Sequence, residues 1–386
     1  MRSRRAAALA IAAVLFFWLW QFLTVRYNYG GNWTGLFCIA PHMPVPAFLK
    51  SERLYIFRDT QGFDGQIYHL IAHDPWMRRG AADAILSPTY RYQRILVPAL
   101  AWCLALGRDG WIHRAYFAVI LGFVFLGVFW LARIAARAGL NPAWGLAFAL
   151  APATIISIDR MTVDIALAAF TLGFALYAED GADWKVAAIL ALAGLTRETA
   201  VSMIAAYAFF LITRNRYRAA ALAAASALPA VAWFAYLAHI HPETSELSAV
   251  LGWIPLAGLV DALLHPSPYA LSPFKNTVAV IFDYVAQAGI VVTLALAIRL
   301  AIERRWTAQT SVIYALALPS LFIRSGDFWP NAYGFGRPFT PLILLVAMQY
   351  LRRPWLAFLP MFMVDARISL NLVSQIQGVF RGITGW

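Results

Sequence analysis

The sequence predicts an all-α membrane protein, a polytopic bundle of transmembrane helices. The chain is 61% hydrophobic and only 13% charged, whereas a soluble domain carries about 25% charged residues. Its mean hydropathy is +0.65, and long uncharged runs recur along the chain. These runs are rich in Ala, Leu and Gly and lack the period-two alternation of membrane-barrel strands. They therefore favour helices.

The uncharged runs set the number of spans. A helix needs about 20 apolar residues to cross the bilayer core, and somewhat fewer if it tilts or its ends reach the interface. We predict about ten or eleven spans in a single domain, residues 1–386. Segments 186–196 and 199–212 are short and predict a hairpin that turns at Arg197 and Glu198. The clearest runs are 6–25, 115–132, 140–158, 165–178, 219–238, 307–323 and 338–351.

Basic clusters orient the predicted bundle. Lys and Arg accumulate in the cytoplasmic loops of membrane proteins, and the clusters here lie between the apolar runs. Placing all of them in the cytoplasm puts the N-terminus inside and residues 26–114 in a long first outer loop. The run 94–107 is only about 14 residues long, so we place it on the outer surface as an interfacial helix. The clusters are 2–5, 133–139, 213–218, 299–305 and 351–353.

The formal net charge of +12 is explained by these clusters and does not indicate a nucleic-acid partner. The composition instead predicts that the chain is surrounded by membrane lipids. The N-terminal apolar run is too long for the core of a signal peptide, so we expect it to remain as the first span.

The same orientation gathers acidic residues on the outer side of the bundle. Carboxylates close to a membrane usually face a cavity or a functional path, because an idle charge there is costly to desolvate. We therefore predict one site, assembled at the outer ends of the helices. The predicted outer carboxylates are Asp59, Asp64, Asp74, Asp159, Asp164, Glu198 and Asp327, and all seven histidines fall on the same side.

The stretch "GFDGQIYHLIAHDP" at 62–75 carries the first of these groups. Gly62 and Gly65 lie on either side of Asp64, where they permit a tight turn and leave the carboxylate open to a ligand. The apolar residues that follow have helical spacing, so a short helix should start near Asp64. The alternative is that Asp64 only caps this helix by accepting backbone N–H groups.

His69 and His73 are four residues apart, the spacing of paired metal ligands on a helix. The intervening Glu of a zinc hydrolase helix is missing, and the sequence shows no third ligand. We therefore predict no metal site and interpret the pair as interfacial histidines.

Arginines accompany the carboxylates of the later outer turns. Arg160 and Asp164 are four apart, so they form either a plain intrahelical ion pair or part of a site at the start of an uncharged run. Arg197 follows an apolar half-helix and is either a structural partner of Glu198 or Asp164 or an anchor for a phosphate. Arg337 precedes two prolines that suit a helix start, and helix N-termini and arginine both attract anions. The alternative interpretation of Arg337 is an ordinary arginine at the membrane interface.

These outer motifs follow one another in a definite order. They are "FDGQIY" at 63–68, "TYRYQRILVP" at 89–98, "RMTVD" at 160–164, the Thr-Arg turn at 196–197 and "RPFTPLILL" at 337–345. The ordered set resembles the GT-C superfamily of membrane glycosyltransferases, which includes protein O-mannosyltransferases, aminoarabinose transferases and the mannosyltransferases of glycolipid-anchor synthesis. It looks closest to uncharacterised bacterial members, over about residues 1–200 and 330–353.

The resemblance implies transfer of a sugar, with inversion, from a polyprenyl-phosphate-linked donor to an unknown glycan, lipid or protein acceptor. It places the reaction at the extracytoplasmic face of the bacterial inner membrane. Asp64, with Asp59 as the fallback, would act as the general base or position the acceptor, and the second carboxylate would be Asp164 or Asp159. The donor-phosphate candidates are Arg337, Arg197 and Arg160, and the other substrate-binding candidates are Gln66, Tyr68, His69, Glu198, Tyr92 and Arg94.

Two features depart from the superfamily pattern. The first outer loop lacks an Asp-x-Asp or Glu-Glu pair, so no cofactor is expected. A divalent cation is compatible with the chemistry but is not indicated. The chain is also expected to lack the large soluble C-terminal domain of several members.

Two other functions fit the same composition. A transporter or lipid flippase for an anionic or lipid-linked substrate would also be polytopic and basic, but it should show inverted repeats and ionisable residues near the midplane. We find no repeat, and only Asp283 is placed deep. A protein that binds a lipid-linked sugar without turning it over is the third alternative.

Overall fold

A computed structural model describes residues 2–242, 251–324, 326 and 328–385. Asp327, one of the predicted outer carboxylates, lies outside the described residues. The described chain is built of helices and contains no β-strand, only two isolated bridges. The prediction of an all-α protein is therefore confirmed.

Most of the described helices follow one another through short connections, and residues 29–63, between α1 and α2, are a long exception. The α-helices are α1 (Arg2–Asn28), α2 (Asp64–His73), α3 (Pro88–Tyr92), α4 (Leu96–Leu104), α5 (Ile112–Arg137), α6 (Pro152–Arg160), α7 (Asp164–Glu179), α8 (Asp183–Gly194), α9 (Thr199–Thr213), α10 (Tyr217–Ala225), α11 (Leu228–Ile240), α12 (Ala257–Leu264), α13 (Pro273–Ile302), α14 (Ala308–Ser320), α15 (Ala332–Gln349), α16 (Pro354–Leu370) and α17 (Val373–Thr384). Short 3-10 helices lie at Trp33–Phe37, Ala47–Leu49, Ala82–Ala84, Asp109–Trp111 and Pro142–Leu150.

The chain is a membrane protein with four to six helices, in the described part, that are long and apolar enough to span. The other helices are shorter, so the predicted total of ten or eleven spans stays a prediction. Four candidates are single segments, Ser3–Asn28, Asp109–Arg137, Tyr217–Ile240 and Pro273–Ile302, and two are bent pairs, Pro142–Leu150 with Pro152–Arg160 and Pro354–Leu370 with Val373–Thr384.

Helix α7 is the centre of the bundle. All of its residues from Asp164 to Leu176 are buried, and it packs against α5, α8 and α15. Gly173 permits the close approach, because a Cβ there would lie 2.8 Å from Ile189 and 3.0 Å from Trp130. A charged residue at the start of α7 is therefore placed at one end of the core.

The two ends of α7 differ in their charged neighbours. At the C-terminal end, Arg137 pairs with Asp180 at 2.7 Å, and Arg216 pairs with Asp183 at 2.8 Å. Both arginines belong to basic clusters that we predicted to face the cytoplasm. Asp164 begins the helix, about 24 Å away at a rise of 1.5 Å per residue. The basic clusters and this carboxylate therefore lie at opposite ends of one helix, as the predicted orientation requires.

A break in the helical backbone between α6 and α7 sets the start of α7. Met161 adopts a left-handed φ of 50° and ends α6. Ser157 Oγ hydrogen-bonds to Thr162 Oγ1 at 2.9 Å and accepts the backbone N–H of Ile165 at 3.2 Å. These bonds satisfy polar groups that the break frees inside the core, and they allow Asp164 to open the next helix.

Candidate active site

Helix α2 begins at Asp64, as the sequence predicted. The residue before it is the N-cap, and no side-chain cap hydrogen bond is made, so the capping interpretation of Asp64 is wrong. The carboxylate instead accepts hydrogen bonds from Arg337 Nη1 at 2.7 Å and from Arg91 Nη1 at 3.1 Å. Arg337 is also 4.8 Å from the centre of the Phe63 ring, within range of a cation–π contact.

The glycine after Asp64 fixes how closely α2 approaches α6. A Cβ on Gly65 would lie 2.0 Å from the backbone oxygen of Arg160 and 3.0 Å from that of Phe37. Backbone atoms cannot move aside as a flexible side chain can. Only glycine therefore fits at this position, and it holds the start of α2 in place.

We expect Gly65→Ala to lower the free energy of unfolding by about 1–3 kcal/mol or more, because the added methyl group forces the two backbones apart. Thermal unfolding of the purified variant in detergent measures the loss. Gly122→Ala is the matched control, since a Cβ there meets nothing within 4 Å. An unchanged melting temperature for Gly65→Ala would contradict this packing.

Asp164 joins the same charged group from the start of α7. Its Oδ1 accepts a hydrogen bond from Arg197 Nη1, and its Oδ2 lies 3.5 Å from Arg337 Nη1. Only 2% of the Asp164 side chain is exposed. Because it contacts both Asp64 and Asp164, Arg337 connects the loop carboxylate to the core carboxylate.

Glu198 and Arg94 form the third part of the group. Arg94 donates from Nη2 and Nε to the two oxygens of Glu198, at 2.9 and 3.1 Å, in the bidentate geometry that arginine favours. Arg94 Nη1 also donates to the Tyr68 hydroxyl at 3.2 Å. Arg197 Nε lies 3.9 Å from Glu198 Oε1, which links this pair to Asp164.

We call these residues the charged cluster. Four guanidinium groups face three carboxylates, so the cluster has one positive charge in excess. Two of its buried polar atoms, Asp164 Oδ2 and Arg197 Nε, have no hydrogen-bond partner, and such atoms are rare unless a ligand or water satisfies them. The members are Asp64, Arg91, Arg94, Asp164, Arg197, Glu198 and Arg337.

The arginines keep the accessible carboxylates ionised. Burial by itself raises the pKa of the Asp64 carboxyl, but the positive charges of Arg337 and Arg91 outweigh burial and leave the pKa below its usual value. Burial likewise opposes ionisation of Glu198, but the neighbouring Arg94 and Arg197 lower its pKa to about 2. Both groups are therefore carboxylates at neutral pH.

Because the pKa of Glu198 is lowered in the folded state, the free energy of unfolding depends on pH. The folded state holds Glu198 ionised down to about pH 2, whereas its ordinary pKa is 4.5, so protons bind the unfolded chain preferentially between these values. We expect a loss on the order of 3 kcal/mol as pH falls through this window. Melting temperatures measured from pH 6 downwards should fall less steeply for Glu198→Gln than for Asp59→Asn. Parallel curves would contradict the ion pair.

The charged cluster contains half of the twelve site residues that the sequence singled out, and Tyr68 contacts it. The sequence could not show that these residues are in contact. They come from α2, the segment after α3, the start of α7, the turn between α8 and α9, and α15. The predicted site residues brought together are Asp64, Asp164, Arg337, Arg197, Glu198, Arg94 and Tyr68.

Other predicted residues lie elsewhere in the first outer loop. Asp59 is exposed and makes no hydrogen bond or ion pair with any described residue. Gln66 accepts the backbone N–H of Ala40 at 2.9 Å, which ties α2 to the loop. Tyr92 donates its hydroxyl to the backbone oxygen of Asp74 at 2.9 Å. The contacts of Gln66 and Tyr92 support the loop and do not reach the charged cluster.

Arg160 has a different partner from the one we considered. Its Nε lies 3.0 Å from Asp159 Oδ2, and the same oxygen accepts the Tyr333 hydroxyl at 2.8 Å. The intrahelical pair with Asp164 is absent, because α6 ends between the two residues. Asp159, which is buried, and Arg160, which is partly exposed, form an ion pair separate from the charged cluster.

The position of Arg337 also differs from the prediction. Helix α15 starts at Ala332, because Asn331 caps it by accepting the backbone N–H of Tyr333 at 2.9 Å. The prolines at 338 and 341 therefore lie inside the helix and do not start it. Arg337 is held in the second turn, where its Nε donates to the backbone oxygen of Tyr333 at 2.7 Å.

Arg91 was not among the predicted site residues. It precedes Arg94 by three residues in "TYRYQR", a spacing that places two side chains on one face of a helix. Tyr90 was also missed, and its hydroxyl accepts a hydrogen bond from Arg94 Nη2. The pattern of alternating aromatic and basic residues was the available signal.

His69 lies on another face of α2, in a second group of ionisable residues. His69, His73, His113 and Glu52 meet there, and we call them the histidine cluster. The nitrogen or oxygen atoms of Glu52, His69 and His113 all lie within 4.8 Å of one another, close enough to share one metal ion. The sequence showed only the pair on α2, because Glu52 and His113 are distant in the chain.

No protein-family model matches the chain, and no significant match was found among curated proteins or solved structures. The relation to the GT-C superfamily therefore stays an expectation that rests on the motifs.

Proposed function

We propose that this protein is a membrane glycosyltransferase of the GT-C type, which transfers a sugar from a polyprenyl-phosphate-linked donor to an extracytoplasmic acceptor. The observation that carries the proposal is the shared contact of Asp64 with Arg337 and Arg91, at 2.7 and 3.1 Å. It combines a carboxylate that can take a proton with cations that can hold a phosphate, in a cluster with one positive charge in excess. That excess matches the single negative charge of a sugar phosphodiester.

The reaction needs a base for the acceptor. A hydroxyl group is a poor nucleophile, and a carboxylate within hydrogen-bond reach activates it by taking its proton. Asp64 is ionised, but its low pKa makes it a weak base while both arginines hold it. A donor phosphate that binds Arg337 and Arg91 would compete for these contacts and raise the pKa of Asp64 towards its usual value. Donor binding would in this way prepare the base.

The reaction also needs stabilisation of the leaving group. The acceptor oxygen attacks the anomeric carbon, the bond from that carbon to the phosphate oxygen breaks, and the hydroxyl proton passes to Asp64. Polyprenyl phosphate leaves with an additional negative charge, and the configuration at the anomeric carbon is inverted. Guanidinium groups held at the phosphate stabilise the developing charge. Arg337 and Arg91 are placed for this role, and Arg197 offers its unpartnered Nε.

The location of the cluster suits a lipid-linked donor. The cluster lies at the end of the bundle opposite the basic clusters on Arg137 and Arg216. If those clusters face the cytoplasm, as the distribution of positive charge predicts, the site opens to the extracytoplasmic side. In a bacterium this places it at the periplasmic face of the inner membrane, with the N-terminus inside.

The test is turnover of purified protein with labelled polyprenyl-phosphate sugars and a mixture of hydroxyl acceptors. Release of polyprenyl phosphate, together with label in the acceptor, is the expected result. Translocation of intact donor across a vesicle membrane would favour a flippase, and binding without release would favour a non-catalytic binder. Either of these two results would overturn the proposed function.

A further inference from the structure

The histidine cluster brings together four side chains from three parts of the chain. Glu52 comes from the first outer loop, His69 and His73 from α2, and His113 from the start of α5. His69 Nε2 lies 3.2 Å from His73 Nε2, which lies 3.7 Å from Glu52 Oε2. Glu52 Oε1 lies 3.2 Å from His113 Nδ1.

The ligand atoms of Glu52, His69 and His113 lie within 4.8 Å of one another, and His73 joins them through its separations of 3.2 Å from His69 and 3.7 Å from Glu52. Zinc binds imidazole nitrogen and carboxylate oxygen at about 2.0–2.1 Å, which places neighbouring ligand atoms about 3.3 Å apart at the corners of a tetrahedron. The three separations here are 3.2, 3.2 and 3.7 Å, with a different oxygen of Glu52 facing His113 and His73. Three imidazoles and one carboxylate are a ligand set that suits zinc among the divalent metals.

Three polar atoms of the cluster also lack hydrogen-bond partners within the described chain. Both carboxylate oxygens of Glu52 and Nδ1 of His113 are buried without a hydrogen bond, although Glu52 and His113 approach to 3.2 Å. Glu52 Oε1 and His113 Nδ1 are therefore close to each other but not in hydrogen-bond geometry. In this arrangement the lone pairs of both atoms can point at one metal ion. A buried carboxylate without hydrogen-bond donors is costly, and a cation bound among these side chains would compensate it.

Asp109 orients one of the histidines. It lies 2.9 Å from His73 Nδ1, and Arg79 donates to both of its oxygens at 2.8 Å. A carboxylate held by arginine only accepts, so His73 carries its hydrogen on Nδ1 and presents the lone pair of Nε2 to the cluster. Metal-binding histidines are commonly held in this way by a carboxylate on the opposite nitrogen.

We propose that Glu52, His69, His73 and His113 bind one zinc ion, with Asp109 positioning His73. The ion would tie the first outer loop and α2 to α5, and α2 carries Asp64 into the charged cluster. The ion would hold the site in place without taking part in glycosyl transfer. The metal site and the proposed function can therefore be tested separately.

The test is the zinc content of the full chain purified in detergent, measured by mass spectrometry. We expect about one zinc per chain, falling to less than one tenth in His69→Ala and His113→Ala. His265→Ala is the control, because His265 lies at an exposed site and pairs only with Asp261 there. Asp109→Asn keeps all four ligands, and we expect it to weaken zinc affinity by about 10- to 100-fold in competition with a chelator.

Measurements on the unmodified protein keep the proposal testable if a variant fails to fold. After treatment with a chelator, the melting temperature should fall and should recover with added zinc but not with magnesium. Cobalt in place of zinc should give the intense visible bands of tetrahedral coordination. A chelator-treated chain that takes up no zinc, or His113→Ala protein with zinc content equal to the control, would overturn the site.

Discussion

Replacing Asp64 with asparagine is expected to lower glycosyl transfer by a factor of about 10² to 10⁴, the usual contribution of a general base. Asparagine keeps the shape of the side chain and can still accept a hydrogen bond from Arg337 through its amide oxygen. It cannot take a proton from the acceptor hydroxyl. The loss should therefore appear in turnover, while donor binding is retained because the arginines remain and lose a competing anion.

The measurement compares turnover, donor affinity and melting temperature in the same detergent preparation. Asp59→Asn is the matched control, since Asp59 is exposed and outside the charged cluster. We expect this control to have wild-type turnover, and we expect Asp64→Asn to remain folded. Wild-type turnover in Asp64→Asn would show that Asp64 is not the general base. A large fall in turnover for Asp59→Asn would indicate that Asp59 is the base instead.

The local elements of the site could be predicted because their signals are short in range. The glycines around Asp64 and the helical spacing after it place the start of α2 correctly. The half-helices around Arg197 and Glu198 are likewise found as α8 and α9. Each of these predictions depends only on residues within about one or two turns of helix, where side-chain spacing decides the outcome.

The partners of the charged residues could not be predicted in the same way. Periodicity tells which face of a helix a residue occupies, but not which distant residue it meets. Asp64 and Arg337 are 273 positions apart and pair at 2.7 Å. Glu52 and His113 are brought to His69 only by packing of the first outer loop against α5. The sequence therefore showed the histidine pair on α2 without the distant residues that join it.

The number of membrane spans could not be predicted for the same reason: hydropathy is a local signal, whereas packing depends on distant residues. A long apolar helix such as α13 can be recognised as a span from the sequence, because a helix of 30 residues is longer than the bilayer core is thick. Helix α7 has 16 residues and is buried along most of its length, so its apolar character reflects packing inside the bundle as much as contact with lipid. Hydropathy alone cannot separate these two causes.

A second large effect is expected from Arg337→Gln, which should lower turnover by about 10²- to 10³-fold, the usual cost of losing one group that stabilises developing charge. Arg337 contacts both Asp64 and Asp164, so its removal also leaves two carboxylates with one cation fewer. We therefore expect a lower melting temperature together with weaker donor binding. Arg58→Gln is the control, since Arg58 is exposed and should leave both properties unchanged.

The double variant Asp64→Asn/Arg337→Gln separates a catalytic role from a purely structural one. Removing one partner of a buried ion pair is far more destabilising than removing both, and the double variant no longer leaves the Asp64 carboxylate without Arg337. The double variant should therefore recover melting temperature relative to Arg337→Gln and still have no transfer activity. If turnover recovers together with stability, Asp64 and Arg337 serve only to hold α2 against α15, and the proposed base and phosphate roles must belong to other residues.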